Sequence, residues 1–313
     1  MEYIVKNTVG KLFEKKTPKE VEDIKIIDIA CGSGSFLVEA YTYLLNWYLN
    51  YYSNNPAKAK SDNSLYKDKL TREKRKEILK RHIYGVDIDH QAVEVTQMSL
   101  FIKMLEDCPD IQHEFKMSEF ILPDMKDNIK CGNSLISHEY EDTLIGGLDE
   151  EEKNKLNLFD WKSSFPDIFK HSGFDAIVGN PPWVSLSGKF GNEILSPNAL
   201  QYLINKYKGN TYMSNLYEYF IHKGLELIKE DGYFSFIVPD RLGFNAQYVN
   251  LRKNILEQFK VEELIYKAEF PNIVTDTLIF RIANPSRRMK SYEIKDGEFG
   301  KELQVNTSVE YLA

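Results

Sequence analysis

Asn180-Pro181-Pro182-Trp183 follows directly on an apolar run, FDAIVG at 174–179. Two consecutive prolines remove two backbone donors and fix two φ angles, so neither a strand nor a helix continues through them. The sequence therefore sets a primary amide and a large aromatic ring on a stiff corner at the C-terminal end of a strand. In open α/β sheets that edge is where ligands bind. On these four residues alone, a plain loop opening with an exposed tryptophan is the competing reading.

A second set of residues lies upstream. IIDIACGSGSFL at 26–37 joins a strand to a helix through Asp28, Ala30, Gly32 and Gly34. The two glycines let the backbone turn tightly and approach a ligand where side chains would collide. A dinucleotide fingerprint requires a third glycine where Leu37 stands, and the Gly-Lys-Ser/Thr of a P-loop is absent. The loop thus suits a ligand without a pyrophosphate, and Asp28 suits a cationic group. GVDID at 85–89 ends a second strand in Asp87, placed to accept hydrogen bonds from ribose hydroxyls. Cys131-Gly132-Asn133-Ser134 follows a third strand and can offer an amide to an adenine edge. Each feature alone is common in α/β packing. Together they describe a pocket for a nucleoside carrying a positive charge and no phosphate, such as S-adenosyl-L-methionine.

The elements that carry these residues alternate. Strands are predicted at 24–30, 82–88, 129–132, 174–179, 233–239, 261–268 and 275–282, and helices at 35–52, 69–81, 90–106, 196–208, 213–229 and 247–258. This alternation predicts a largely parallel sheet with helical crossovers. Only EFPNIV separates the last two strands, too little for a crossover, so they should pair antiparallel. Residues 53–64 and 139–155 read as irregular, and the text after 283 is polar and mixed.

The bulk numbers set limits on this reading. A chain of 313 residues, 42% hydrophobic and 28% charged, is that of an ordinary globular protein. No apolar run approaches a membrane span and no signal-peptide core opens the chain. The three cysteines show no C-x-x-C spacing and the six histidines no i, i+4 pair, so neither a disulfide framework nor a metal site is expected. A reducing cytoplasm fits. The net charge of −7 is awkward for a nucleic-acid binder. Residues 58–81 are a local exception, with ten Lys and Arg against four acids, although a solvated helix face also explains them.

The series DIACGSGSF, GVDID, CGNSL, FDAIVGNPPW and DGYFSFIVP resembles the amino-methylating DNA methyltransferases. More narrowly, it is similar to the adenine N6-methylating part of type IIG restriction–modification enzymes and related phage-defence methylases, over nearly the whole chain. The resemblance implies a Rossmann-like S-adenosylmethionine-dependent methyltransferase fold: an α/β seven-stranded mixed sheet, antiparallel in its last strand, with helices on both faces. It implies a catalytic domain over 1–283, with an inserted basic segment at about 53–81. Residues 284–313 would begin a linker or a truncated target-recognition region. Asp28, Ala30, Gly32 and Gly34 would line the methionine end of the cofactor, Asp87 would hold the ribose, Ile88 would pack on the adenine face and Asn133 would meet its edge. Asn133 departs from the Asp usual in that family. Asn180, Pro181, Pro182 and Trp183 would form the catalytic corner, with Trp183 and Phe236 bordering the target base.

In that family a Tyr-Tyr-Thr-Pro-like segment precedes the helix matching EYIVKNTVG and helps close the cofactor site. Here Met1 stands directly before that helix, and nothing like a target-recognition domain follows 283. The PDMK at 123–126 is too short an imitation of a nuclease site. The expectation is the catalytic core of a larger prokaryotic cytoplasmic protein, bound to double-stranded DNA through a recognition domain outside this chain. A nuclease domain would be a further partner in the full-length polypeptide. Two alternatives remain open at this point. A protein glutamine N5-methyltransferase uses the same Asn-Pro-Pro-aromatic corner and suits the acidic charge. A non-catalytic cofactor-binding scaffold is the other.

Overall fold

The computed structural model of the chain describes residues 1–106, 108, 123–144, 146–268, 276–285, 292–295 and 302–305. Backbone packing divides the chain into two units, Met1–Cys131 and Gly132–Ala313. The division falls within the loop that follows the third strand.

In the first unit, three short apolar runs form strands β1 (Ile26–Asp28), β2 (Ile83–Asp87) and β3 (Ile129–Cys131). All are parallel, with β2 in the middle. Asp28 lies opposite Gly85, and Asp87 opposite Cys131, so the loops after all three strands leave from one edge. Helices α1 (Glu2–Phe13), α2 (Ser35–Asn54), α3 (Arg72–His82) and α4 (His90–Leu105) complete the unit. The helix α2 buries Phe36, Leu37, Ala40, Tyr41, Leu44, Leu45, Tyr48 and Tyr52, one stripe at helical spacing. Phe13 at the end of α1 meets the Trp47 ring edge-on at 5.1 Å.

The basic insertion is more ordered than its composition suggests. Residues 53–64, expected to be irregular, include a short helix, Pro56–Ser61, opened by a proline whose missing N–H has no partner to lose at that position. A small hairpin follows, with Leu65 paired to Leu70 and Tyr66 to Lys69. The helix expected from 69 begins at Arg72 instead. Thr71 caps it by accepting the Lys74 backbone N–H, which fixes the start.

The second unit holds β4 (Phe174–Gly179), β5 (Ile228–Pro239), β6 (Lys260–Tyr266) and β7 (Thr277–Ala283). The strands β4 and β5 are parallel, and β7 runs antiparallel between β5 and β6, so the expected antiparallel pairing at the end is present. All seven expected strands are found. β5 begins at 228 rather than 233, because a register shift against β4 and a left-handed Asp231 (φ 60°) let the chain pair through its polar start. Its main helices are α5 (Pro197–Tyr207), α6 (Leu216–Leu227) and α7 (Val249–Gln258). Ser196 and Asn215 cap α5 and α6, which trims both from the periodic reading. Within 139–155, short helices at Glu139–Asp142 and Glu150–Leu156 replace the expected irregular chain.

The expectation for 284–313 lies largely outside the described residues, which there include an antiparallel pair, Tyr292–Lys295 with Glu302–Val305. No helix among the described residues is long and apolar enough to cross a membrane.

Candidate active site

The glycine loop of the first unit is fixed at both ends. Cys31 donates its N–H to the Val86 carbonyl at 3.0 Å, and Gly34 donates to Cys31 at 2.8 Å. Gly34 has φ 83°, and a Cβ there would lie 2.9 Å from the Thr96 methyl and 3.2 Å from the Thr96 Cα. Thr96 in turn donates its hydroxyl to the Gly32 carbonyl at 2.7 Å. Gly32 differs: its φ is 52°, but a Cβ would meet nothing within 4 Å. Packing therefore demands Gly34, while Gly32 borders open space.

Asp28 is 2% exposed. Its Oδ1 accepts the Ala30 N–H at 3.0 Å, and among the described residues no basic side chain pairs with it. Burial, helped by the nearby Asp87, pushes its carboxyl up to about 7. Asp87 accepts the Gly32 N–H on Oδ2 at 2.8 Å and the Asp89 N–H on Oδ1 at 3.0 Å. Each oxygen retains acceptor capacity. Ile88, next to it, is 50% exposed. Burial and the two carboxylates push the Cys31 thiol up.

In the second unit, Asn133 uses its amide inside its own loop. Its Oδ1 accepts the N–H groups of Leu135 and Ile136 at 3.0 and 3.2 Å, and its Nδ2 donates to the Leu156 carbonyl at 3.0 Å. The side chain expected to meet an adenine edge is thus a brace that holds the turn. The expected border residue Phe236 is fully buried. It pairs with Gly179 in the β4–β5 register, and its ring packs edge-on against Phe234 at 4.5 Å and Phe280 at 6.3 Å. It backs the corner as a core residue and offers no exposed face. The PDMK at 123–126 is a turn in which Asp124 accepts the Lys126 N–H.

The corner itself leaves a fully buried β4, and Pro181 is buried with it. Asn180 Oδ1 and Trp183 Nε1 are both buried, and neither has a hydrogen-bond partner among the described residues. Leaving such an atom unpaired costs about 1–3 kcal/mol. Two such atoms lie within four residues of each other. The chain beyond is pinned: Leu216 donates to the Val184 carbonyl at 2.9 Å, and Leu186 to that of Ser214 at 2.8 Å. Sequence reasoning missed Glu218, in the first turn of α6. It is 2% exposed, accepts the Asn210 N–H at 3.1 Å, and burial pushes it up to about 7. The signal was a carboxylate inside the otherwise apolar LYEYFI.

Residues 81–271 match the Eco57I restriction-modification methylase family, more than half of the chain. The chain belongs to that family. Residues 19–111 also match the RMKL-like methyltransferase domain. Among curated relatives, the type II restriction enzyme and methyltransferase RM.Eco57I of Escherichia coli is 31% identical over 94% of this chain, which spans 28% of that relative's length. The adenine-specific methyltransferase PglX of Lacticaseibacillus casei is 24% identical over 76% of this chain and 21% of its own. A solved structure assigned as a class I S-adenosylmethionine-dependent methyltransferase from Listeria monocytogenes superposes with a TM-score of 0.50, at 14% identity, over 94% of this chain and 63% of its own. The type ISP restriction-modification enzyme LlaBIII bound to DNA superposes at 0.58 and 16% identity, over 94% of this chain and 19% of its own. The Eco57I-family chain therefore has the S-adenosylmethionine-dependent methyltransferase fold expected from its motifs.

Proposed function

We propose that this chain is the catalytic core of a site-specific DNA adenine N6-methyltransferase of a type IIG restriction–modification system. The observation that carries the reading is the buried, unpartnered Asn180 Oδ1 on a corner stiffened by two prolines. The exocyclic nitrogen of adenine is a poor nucleophile because its lone pair is delocalised into the ring. Asn180 Oδ1 accepts one amino hydrogen and the Pro181 carbonyl the other, which favours a tetrahedral nitrogen with its lone pair free to attack. Both acceptors are preorganised, so little rearrangement precedes reaction. Trp183 stacks on the extruded base. Extrusion costs a few kcal/mol, and one stack returns about 1–3 kcal/mol of it.

The residues of the first unit fit S-adenosylmethionine, which supplies an electrophilic methyl on a cationic sulfur. Asp28 brings a buried carboxylate with no basic side chain paired to it among the described residues, Gly32 borders open space, Asp87 keeps acceptor capacity for ribose hydroxyls, and Ile88 leaves an apolar face exposed. Asn133 contributes through the shape of the loop it braces. The reading places the enzyme in the prokaryotic cytoplasm, with double-stranded DNA as its partner. The name of RM.Eco57I joins restriction enzyme and methyltransferase, which supports a nuclease domain in the same full-length polypeptide. A glutamine N5-methyltransferase could use the same corner, but the curated relatives are DNA-modification enzymes, one of them named as adenine-specific.

The test is transfer of labelled methyl to unmethylated mixed-sequence DNA, followed by nucleoside analysis. N6-methyladenine at a defined site is expected. Label in protein glutamine and none in DNA would contradict the reading.

A further inference from the structure

The second unit leaves four large apolar side chains exposed among its described residues: Ile194, Tyr212, Met213 and Phe244. All four lie on the two connections that leave the C-terminal ends of β4 and β5. The first of these connections begins with the Asn180–Trp183 corner. Tyr212, 74% exposed, and Met213, 53% exposed, sit side by side in the loop between α5 and α6.

That loop is built to hold them outward. The Asn210 side chain clasps Tyr212 from both ends: its Oδ1 accepts the Tyr212 N–H at 2.9 Å, and its Nδ2 donates to the Tyr212 carbonyl. Met213 takes a left-handed backbone (φ 54°), uncommon for a residue with a long side chain. Beneath them, the buried Ser214 donates its hydroxyl to the Asn210 carbonyl, and the buried Glu218 accepts the Asn210 N–H. The Ser214 carbonyl then receives Leu186, and Val184 receives Leu216. The foot of the loop is therefore hydrogen-bonded to the residues just after Trp183.

A loop so braced presents a flat ring and a thioether to solvent next to the catalytic corner. Large apolar side chains inserted between base steps are a recurrent means of prising a duplex open. We propose that Tyr212, with Met213 beside it, is the wedge that enters the duplex at the target base pair and stacks on the bases left behind when adenine is extruded toward Trp183. The inference rests on the DNA adenine reading above and adds the contact that holds the duplex open.

The test uses the intact enzyme and an oligonucleotide duplex carrying a site at which it methylates mixed-sequence DNA. Tyr212→Ala should weaken duplex binding by about 5- to 150-fold, the range for loss of one aromatic–base stack. Tyr212→Phe should retain most of the affinity. The loss in Tyr212→Ala should shrink when the target adenine faces an abasic position, because the opposite base on which Tyr212 would stack is then absent. Calorimetric cofactor affinity should match wild type in both variants, which reports a folded protein. Unchanged duplex affinity in Tyr212→Ala, or equal loss on the two duplexes, overturns the wedge and leaves the methyltransferase reading standing. A wild-type enzyme that methylates no DNA overturns that reading and the wedge with it.

Discussion

Among the described residues, Asp28 buries a carboxyl with no basic side chain beside it, and Asn180 buries an amide oxygen with no hydrogen-bond partner. For Asp28 the consequence is a pH dependence with a definite sign. Burial raises its carboxyl from 3.8 to about 7, so its contribution to folding stability is full below about pH 4 and is lost as pH rises through about 7. A cationic ligand at the carboxylate favours the charged form and lowers that value. S-adenosylmethionine affinity should therefore rise with pH and level off above about 7, with a proton released on binding below that point. Calorimetry in two buffers of different ionisation enthalpy reads both effects. A flat profile in the native protein, matching that of Asp28→Asn, would remove Asp28 from the cofactor site. Trp183 gives a second residue-scale outcome. Trp183→Phe should keep most activity because a ring face survives, whereas Trp183→Ala should lose about 1–3 kcal/mol of target-base binding. Equal behaviour of the two variants would make the tryptophan purely structural.

At the scale of elements, the two glycines of one loop should separate stability from binding. Gly32→Ala asks a residue with a Cβ to adopt φ 52° in open space, at a cost of about 1–2 kcal/mol. Gly34→Ala adds a clash with Thr96, worth about 1–3 kcal/mol more. Thermal melting should therefore rank Gly34→Ala below Gly32→Ala. Gly32→Ala should lose cofactor affinity out of proportion to its stability, and the reverse ranking would misplace the open space. The strands and main helices were legible because apolar periodicity and capping residues agree with the tertiary packing, as in FDAIVG and α2. The basic insertion was not. Its net charge hides a Pro-started helix and a Thr71 cap, both local signals outweighed by composition. The surroundings of the candidate residues were not legible. Nothing in CGNSL says that Asn133 turns its amide inward, and alternation in YFSFIVP could not separate a pocket wall from a core position for Phe236. Glu218 escaped because its importance lies in burial, which a carboxylate in a helix does not announce.

Over the whole molecule, Asp28, Gly32, Gly34, Asp87 and Ile88, proposed to hold the cofactor, lie in one unit, and Asn180 and Pro181, proposed to accept the target amino group, lie in the other. Cofactor affinity and methyl transfer should accordingly respond to different substitutions. This chain spans 28% of the length of RM.Eco57I. The most direct test of the proposed chemistry is the single-turnover rate of methyl transfer by Asn180→Ala, measured beside its calorimetric affinity for S-adenosylmethionine. Removing one preorganised acceptor should lower the rate by about 10²–10³-fold, with cofactor affinity at the wild-type value. Near-normal transfer, or a loss explained entirely by weaker cofactor binding, would contradict the assignment of Asn180 as the acceptor of the target amino group.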